Sequence, residues 1–144
     1  MDIVDELVHL HGCYTGRGWF APSERPPRVA RLEIAELPGG SGVLVAYEVI
    51  SFEGEIKHRE RSMVVRSTEG ETLLLVAFEG ENRSRLLHEI EPGLFAERQS
   101  EPYREGQMAI RIERRDHDLH HAYCWADASG VFAEVDVAEF RLAT

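Results

Sequence analysis

Along most of this chain, short runs of alternating apolar and polar residues are cut by glycine-bearing turns at Gly39-Gly40, Gly54, Gly70, Gly80, Gly93, Gly106 and Gly130. Alternation with a period of two marks half-buried strands, and glycine supplies the positive φ that tight hairpins need. The pattern predicts strands over about 28–37, 42–52, 56–66, 71–79, 83–90, 94–100, 107–114, 118–126 and 131–142. A further strand over 11–20, bent at Gly12, Gly16 and Gly18, brings the number to ten, and residues 21–27 form a proline-bearing loop. Residues 2–10 break the alternation. Ile3, Val4, Leu7, Val8 and Leu10 fit one face of a short helix, with Asp2 placed as its N-cap and acids in the first turn. This is the only helix predicted. The fold class is therefore all-β: one antiparallel up-and-down β-barrel of about ten strands spanning residues 1–144, closed so that no sheet edge is left exposed.

Antiparallel partners have a constant sum of residue numbers and share a face, so each turn fixes which side chains point inward. A turn centred on Glu53-Gly54 sets Val43 opposite Val64, Val45 opposite Ser62 and Tyr47 opposite Glu60, with Glu48 opposite Arg59 on the other face. Carried onward, the parity places Leu73, Leu75, Ala77, Ser84, Leu86, His88 and Ile90 inside, with Arg83, Arg85, Leu87 and Glu89 outside. It then puts Met108, Ile110, Ile112, Leu119, His121, Tyr123 and Trp125 inside. On the last strand, burying Val131, Ala133 and Val135 keeps Glu134 and Asp136 out of the core. Leu44, Met63, Val65, Leu74, Val76 and Phe78 are left as an outer apolar band, which marks an interface and suggests a homodimer.

Composition narrows the classes. With 26 acidic against 16 basic residues the net charge is −10, and the basic residues are scattered, so neither nucleic acid nor an anionic membrane is expected as a partner. No apolar run approaches the ~20 residues of a membrane-spanning helix, and no signal-peptide pattern is present, so the cytoplasm is the expected location. Cys13 and Cys124 lie on separate strands without metal-ligand spacing and are expected to be free, buried thiols.

The inward positions are not all aliphatic: Tyr14, Tyr47, His58, Glu60, His88, His121, Tyr123 and Trp125 form the candidate ligand-binding set. Apolar walls with a few polar groups describe a small-molecule pocket. The alternative is a wetted barrel mouth or polar groups that satisfy one another. His117, His120 and His121 form the densest histidine cluster, but on a strand His117 and His121 stand about 13 Å apart and His120 faces the other way, so no metal site is expected from that segment. Gly39-Gly40-Ser41-Gly42 joins two strands, which excludes a phosphate-binding strand–helix turn. Tyr47, His58 and Glu60 could serve acid–base chemistry, yet no catalytic residues are assigned and no enzyme activity is expected.

The short helix, the Gly12-Cys13-Tyr14 opening and the ten-strand meander resemble the calycin superfamily of lipocalin-like, fatty-acid-binding-protein-like and nitrobindin-like barrels. Leu7, Leu10, Gly12, Tyr14, Gly16 and Gly18 are similar to the nitrobindin-like Leu-x-x-Leu-x-Gly-x-Trp-x-Gly-x-Gly, with Tyr in place of Trp. Arg141 lies on the last strand, where lipocalin-like barrels often carry an Arg packed over the opening aromatic. The resemblance implies a barrel that binds a small apolar or amphipathic molecule. A nitrobindin-like haem or metal barrel is an alternative, but the last strand has no histidine, so haem would need His121 or His88 and no cofactor is expected. A barrel that only self-associates is the third reading.

Overall fold

The computed structural model describes residues 2–20, 28–51, 53–81 and 83–142, so the loop expected over 21–27 lies outside the described residues. Helix α1 (Ile3–His9) leads into β1 (Gly12–Phe20), β2 (Arg28–Glu36), β3 (Gly42–Ile50), β4 (Ile56–Arg66) and β5 (Thr72–Phe78). The chain continues through β6 (Arg83–Glu91), β7 (Leu94–Ala96), β8 (Met108–Arg115), β9 (Asp118–Ala126) and β10 (Phe132–Arg141). Each strand pairs antiparallel with the next, and β1 closes on β10, giving a closed ten-stranded barrel. At the seam Gly16 lets the strands approach, because a Cβ there would overlap the Glu139 carbonyl.

The helix forms as its sequence dictates. The Asp2 carboxylate accepts from the Asp5 amide at 2.8 Å, and the buried side chains Ile3, Val4 and Leu7 join the barrel core against β2, β3 and β4. Arg66, at the end of β4, donates to both Asp2 and Asp5 and fastens the helix over that end of the barrel. The opposite end is left uncovered by α1.

Turn chemistry decides the faces. The β3–β4 register is the expected one, with Tyr47 opposite Glu60 and Glu48 opposite Arg59. The next hairpin reverses the expectation. Ser67 and Glu71 close a three-residue loop in which Gly70 has φ 85°, so Val64 pairs with Leu74 rather than Leu73. Leu74, Val76 and Phe78 therefore point inward, while Leu73, Leu75 and Ala77 point outward. β6 inherits the inversion, so Arg83, Arg85, Leu87 and Glu89 face the interior, while Ser84, Leu86, His88 and Ile90 face out. An irregularity between Glu89 and Glu91 restores the expected faces, and Ile110, Ile112, His121 and Tyr123 are buried.

The last strand brings another correction. A bulge between Glu134 and Asp136 brings Asp136, expected outside, to the inner face beside Tyr123; Val135 lines the cavity and Ala133 pairs with Trp125, as expected for inward positions, although Ala133 and Val131 are exposed rather than buried. Glu134 does stay outside, bonded to His120 and Arg115. Outside β7–β10 a second apolar cluster contains Leu94, Ala96, Ala109, Ala122, Cys124 and Val137, with Trp19, Tyr103 and Phe132 packed on it. The segment after β7, expected to continue as strand to residue 100, instead leaves the sheet and carries Tyr103 into this cluster. Cys124 is buried as expected, but Cys13 is exposed.

Candidate functional site

The end of the barrel away from α1 holds a cavity of about 540 Å³. Its position follows from the register: the ends of β1, β3, β5 and β9 and the starts of β4, β6, β8 and β10 meet there. Phe20, Phe78, Leu87, Met108 and Trp125 supply apolar wall, and His58, Tyr123 and Asp136 supply polar groups. Arg83, Arg85, Glu81 and Glu97 also line it. These last four are paired, Arg83 with Glu81 at 2.9 Å and Arg85 with Glu97 at 3.1 Å.

Beneath the cavity lies a buried polar cluster. Glu60 is 1% exposed; its Oε1 lies 3.2 Å from His121 Nε2 and its Oε2 lies 3.5 Å from His58 Nε2. His58 Nε2 also lies 3.0 Å from the Tyr123 hydroxyl, the shorter and better of its two contacts. Burial pushes the Glu60 carboxyl up, but hydrogen bonds and charge from His121 and His58 outweigh it, and the carboxyl is held below its ordinary range. An ionised Glu60 can only accept, so His121 donates from Nε2. Its Nδ1 is buried with no partner among the described residues.

Tyr47 crosses the interior and stacks on His121, with ring centroids 4.1 Å apart. Burial, reinforced by the charges of Asp136 and Glu60, raises its phenol well above the usual range, so it remains a proton donor. Its hydroxyl likewise has no partner among the described residues. Asp136 is raised by burial, with Arg28 pulling the other way. The Arg28 guanidinium reaches Asp136 at 3.3 Å and lies 4.0 Å from the centre of the Phe20 ring. The site can thus hold a polar group at its floor, pass a proton between imidazole and phenol, and shelter an apolar body above.

The eight residues expected to line a pocket separate into groups. His58, Tyr123 and Trp125 line the cavity, and Glu60, His121 and Tyr47 are packed behind it. Tyr14 lies at the helix end, its hydroxyl donating to the Leu10 carbonyl at 2.6 Å. His88 is on the outer face, a consequence of the inverted β5–β6 parity. Neither histidine considered for haem is presented to the cavity, since His121 is committed to Glu60 and His88 points away. Among the described residues, no group of three or more His, Cys, Asp or Glu side chains is arranged to hold a metal ion.

Phe20, Phe78, Arg28 and Asp136 were missed as site residues. The three-residue loop before β5 turns Phe78 inward, and the β10 bulge does the same for Asp136; Gly70 signals the first only weakly, and nothing in 131–142 signals the second. Compared with protein-family models and with curated proteins, the chain matches none of either.

Proposed function

We propose that this barrel binds a small amphipathic molecule in its open end. The observation that carries the reading is the 540 Å³ cavity, walled by Phe20, Phe78, Met108 and Trp125 and floored by His58, Tyr123 and Asp136. Its size matches that of small-molecule sites, and its lining sets Phe20, Phe78, Leu87, Met108 and Trp125 among polar and charged side chains, a mixture that suits an amphipathic rather than a purely apolar ligand. The calycin-like layout, one short helix over one end and a cavity at the other, supports it further. Binding rather than catalysis is favoured because the buried cysteine, Cys124, packs outside the barrel with its thiol pushed up by burial to about 11, while the cavity lining, among the described residues, carries no serine, threonine or cysteine beside its imidazole and phenol.

The test uses Trp19→Phe protein, leaving Trp125 as sole tryptophan, titrated with the neutral apolar probe N-phenyl-1-naphthylamine. One probe per chain should bind and quench Trp125. Met108→Trp, which fills the wall, should abolish binding in the folded protein. Failure of the probe to bind, or equal binding to the filled variant, refutes the reading.

A second reading, self-association of two copies, is favoured by the outer face of β3–β6. Leu44, Met63, Leu75 and Leu86 form one registered row across four strands, and three of them are 43–51% exposed. This row replaces the band expected from the sequence, because Leu74, Val76 and Phe78 are inside.

A further inference from the structure

We propose that the polar group recognised at the cavity floor is a cation, and that the ligand class is an amphipathic amine; the inference rests on the binding role proposed above. Arg28 already displays the recognition chemistry. Its guanidinium lies over one face of Phe20 and against the Asp136 carboxylate, a cation held between an aromatic ring and an anion. Among the described residues, the contact to Asp136 is a single hydrogen bond at 3.3 Å, not the short bidentate pairing that saturates a carboxylate. Asp136 also lines the cavity, whereas Arg28 does not. An ammonium group entering from the mouth therefore meets a carboxylate with acceptor capacity left.

The surroundings favour that charge. Asp136 pairs across the sheet with Phe20 on one side and Tyr123 on the other, one inward row deeper than Trp125. Aromatic faces thus flank the carboxylate, while Phe78 and Trp125 supply wall above it for an alkyl or aryl body. Glu60, behind the floor, is matched by His121 and His58, so Asp136 with Arg28 is the carboxylate that an entering cation would meet. Two of the lining arginines that would argue for an anion are engaged elsewhere, Arg83 by Glu81 and Arg85 by Glu97, and the third, Arg104, shares the lining with Glu105. The chain's net charge of −10 adds a field that attracts cations and repels anions.

The experiment compares three probes with the same tail, decylamine, decanol and decanoate, each displacing N-phenyl-1-naphthylamine from the folded protein. Decylamine should bind at least tenfold more tightly than decanol, with decanoate weakest. Asp136→Asn should remove the preference for decylamine, so that the variant binds decylamine and decanol to a similar level. Arg28→Gln, which removes the resident cation and frees the carboxylate, should tighten decylamine; this variant keeps the test decisive if Asp136→Asn fails to fold. Equal affinities, a preference for decanoate, or weaker amine binding in Arg28→Gln overturns the proposal while leaving the cavity-binding reading intact. If the naphthylamine probe itself never binds, the binding reading fails and this one with it.

Discussion

Glu60 illustrates how a single residue in this barrel couples stability to proton binding. It lies at 1% exposure between two imidazoles, and removing it would leave His121 Nε2 a buried donor facing a void. Glu60→Ala should therefore cost about 3–5 kcal/mol in urea unfolding. Glu60→Gln keeps an acceptor for His121 and should cost less, about 1–2 kcal/mol. The sign of the pH effect follows from the direction of the shift. Because the folded carboxyl is held below its ordinary range, its stabilisation is complete above that range and is lost as pH falls through the lowered value. Glu134, pushed up by burial but held down overall by His120 and Arg115, acts in the same sense. Asp136 is shifted upward and acts in the opposite sense, costing stability near neutrality that is recovered in acid. Unfolding midpoints measured from pH 7 to pH 3 should fall steeply below about pH 4 in the wild type and less steeply in Glu60→Gln; equal slopes would show that the cluster is not ionised as described.

Each hairpin of the barrel is a parity decision. Leu74 is fully buried and its neighbour Leu75 is 43% exposed, so Leu74→Ala should cost about 2–5 kcal/mol and Leu75→Ala about 0.5 kcal/mol in the same denaturation assay. Comparable losses would contradict the three-residue loop at 68–70. The strands themselves were legible in the chain, since Val43, Val45 and Tyr47 alternate cleanly and Asp2 is an unmistakable helix cap. Faces were legible only where both choices were chemically unequal. In β5, Leu73, Leu75 and Ala77 are as apolar as Leu74, Val76 and Phe78, so hydrophobicity could not reveal that the loop held an odd number of residues. In β10 the rule against burying carboxylates held for Glu134 and failed for Asp136, because it could not anticipate the bulge between them or Arg28 arriving from β2, 108 residues away in sequence, to meet Asp136. That is why three of the cavity residues were found from the sequence and the Phe20–Arg28–Asp136 corner was not.

For the whole molecule, the outer row of Leu44, Met63, Leu75 and Leu86 bears on association. Light scattering should find wild-type dimers, and Leu75→Lys with Leu86→Glu should give folded monomers, because both side chains are already near water and charge there need not disturb the core. The pair Leu74→Lys with Phe78→Glu should instead unfold the chain, since Leu74 is 0% exposed and Phe78 faces the interior. A wild type that is monomeric at all concentrations would remove the association reading without touching the barrel.

Closure of the seam sets an order of events for the growing polypeptide. Arg17 and Gly18 pair with β2 at Val29 and Arg28, but the other side of β1, from Arg17 to Phe20, pairs with Glu139 to Asp136, so β2 to β10 must all be made before β1 has its second neighbour. Until then the barrel cannot close, and a sheet lacking β10 would keep two unpaired edges. The last strand made is also the one that delivers Asp136 to Arg28 and Phe20, so completion of the fold and assembly of the site are the same event, and a chain stopped short of it has neither.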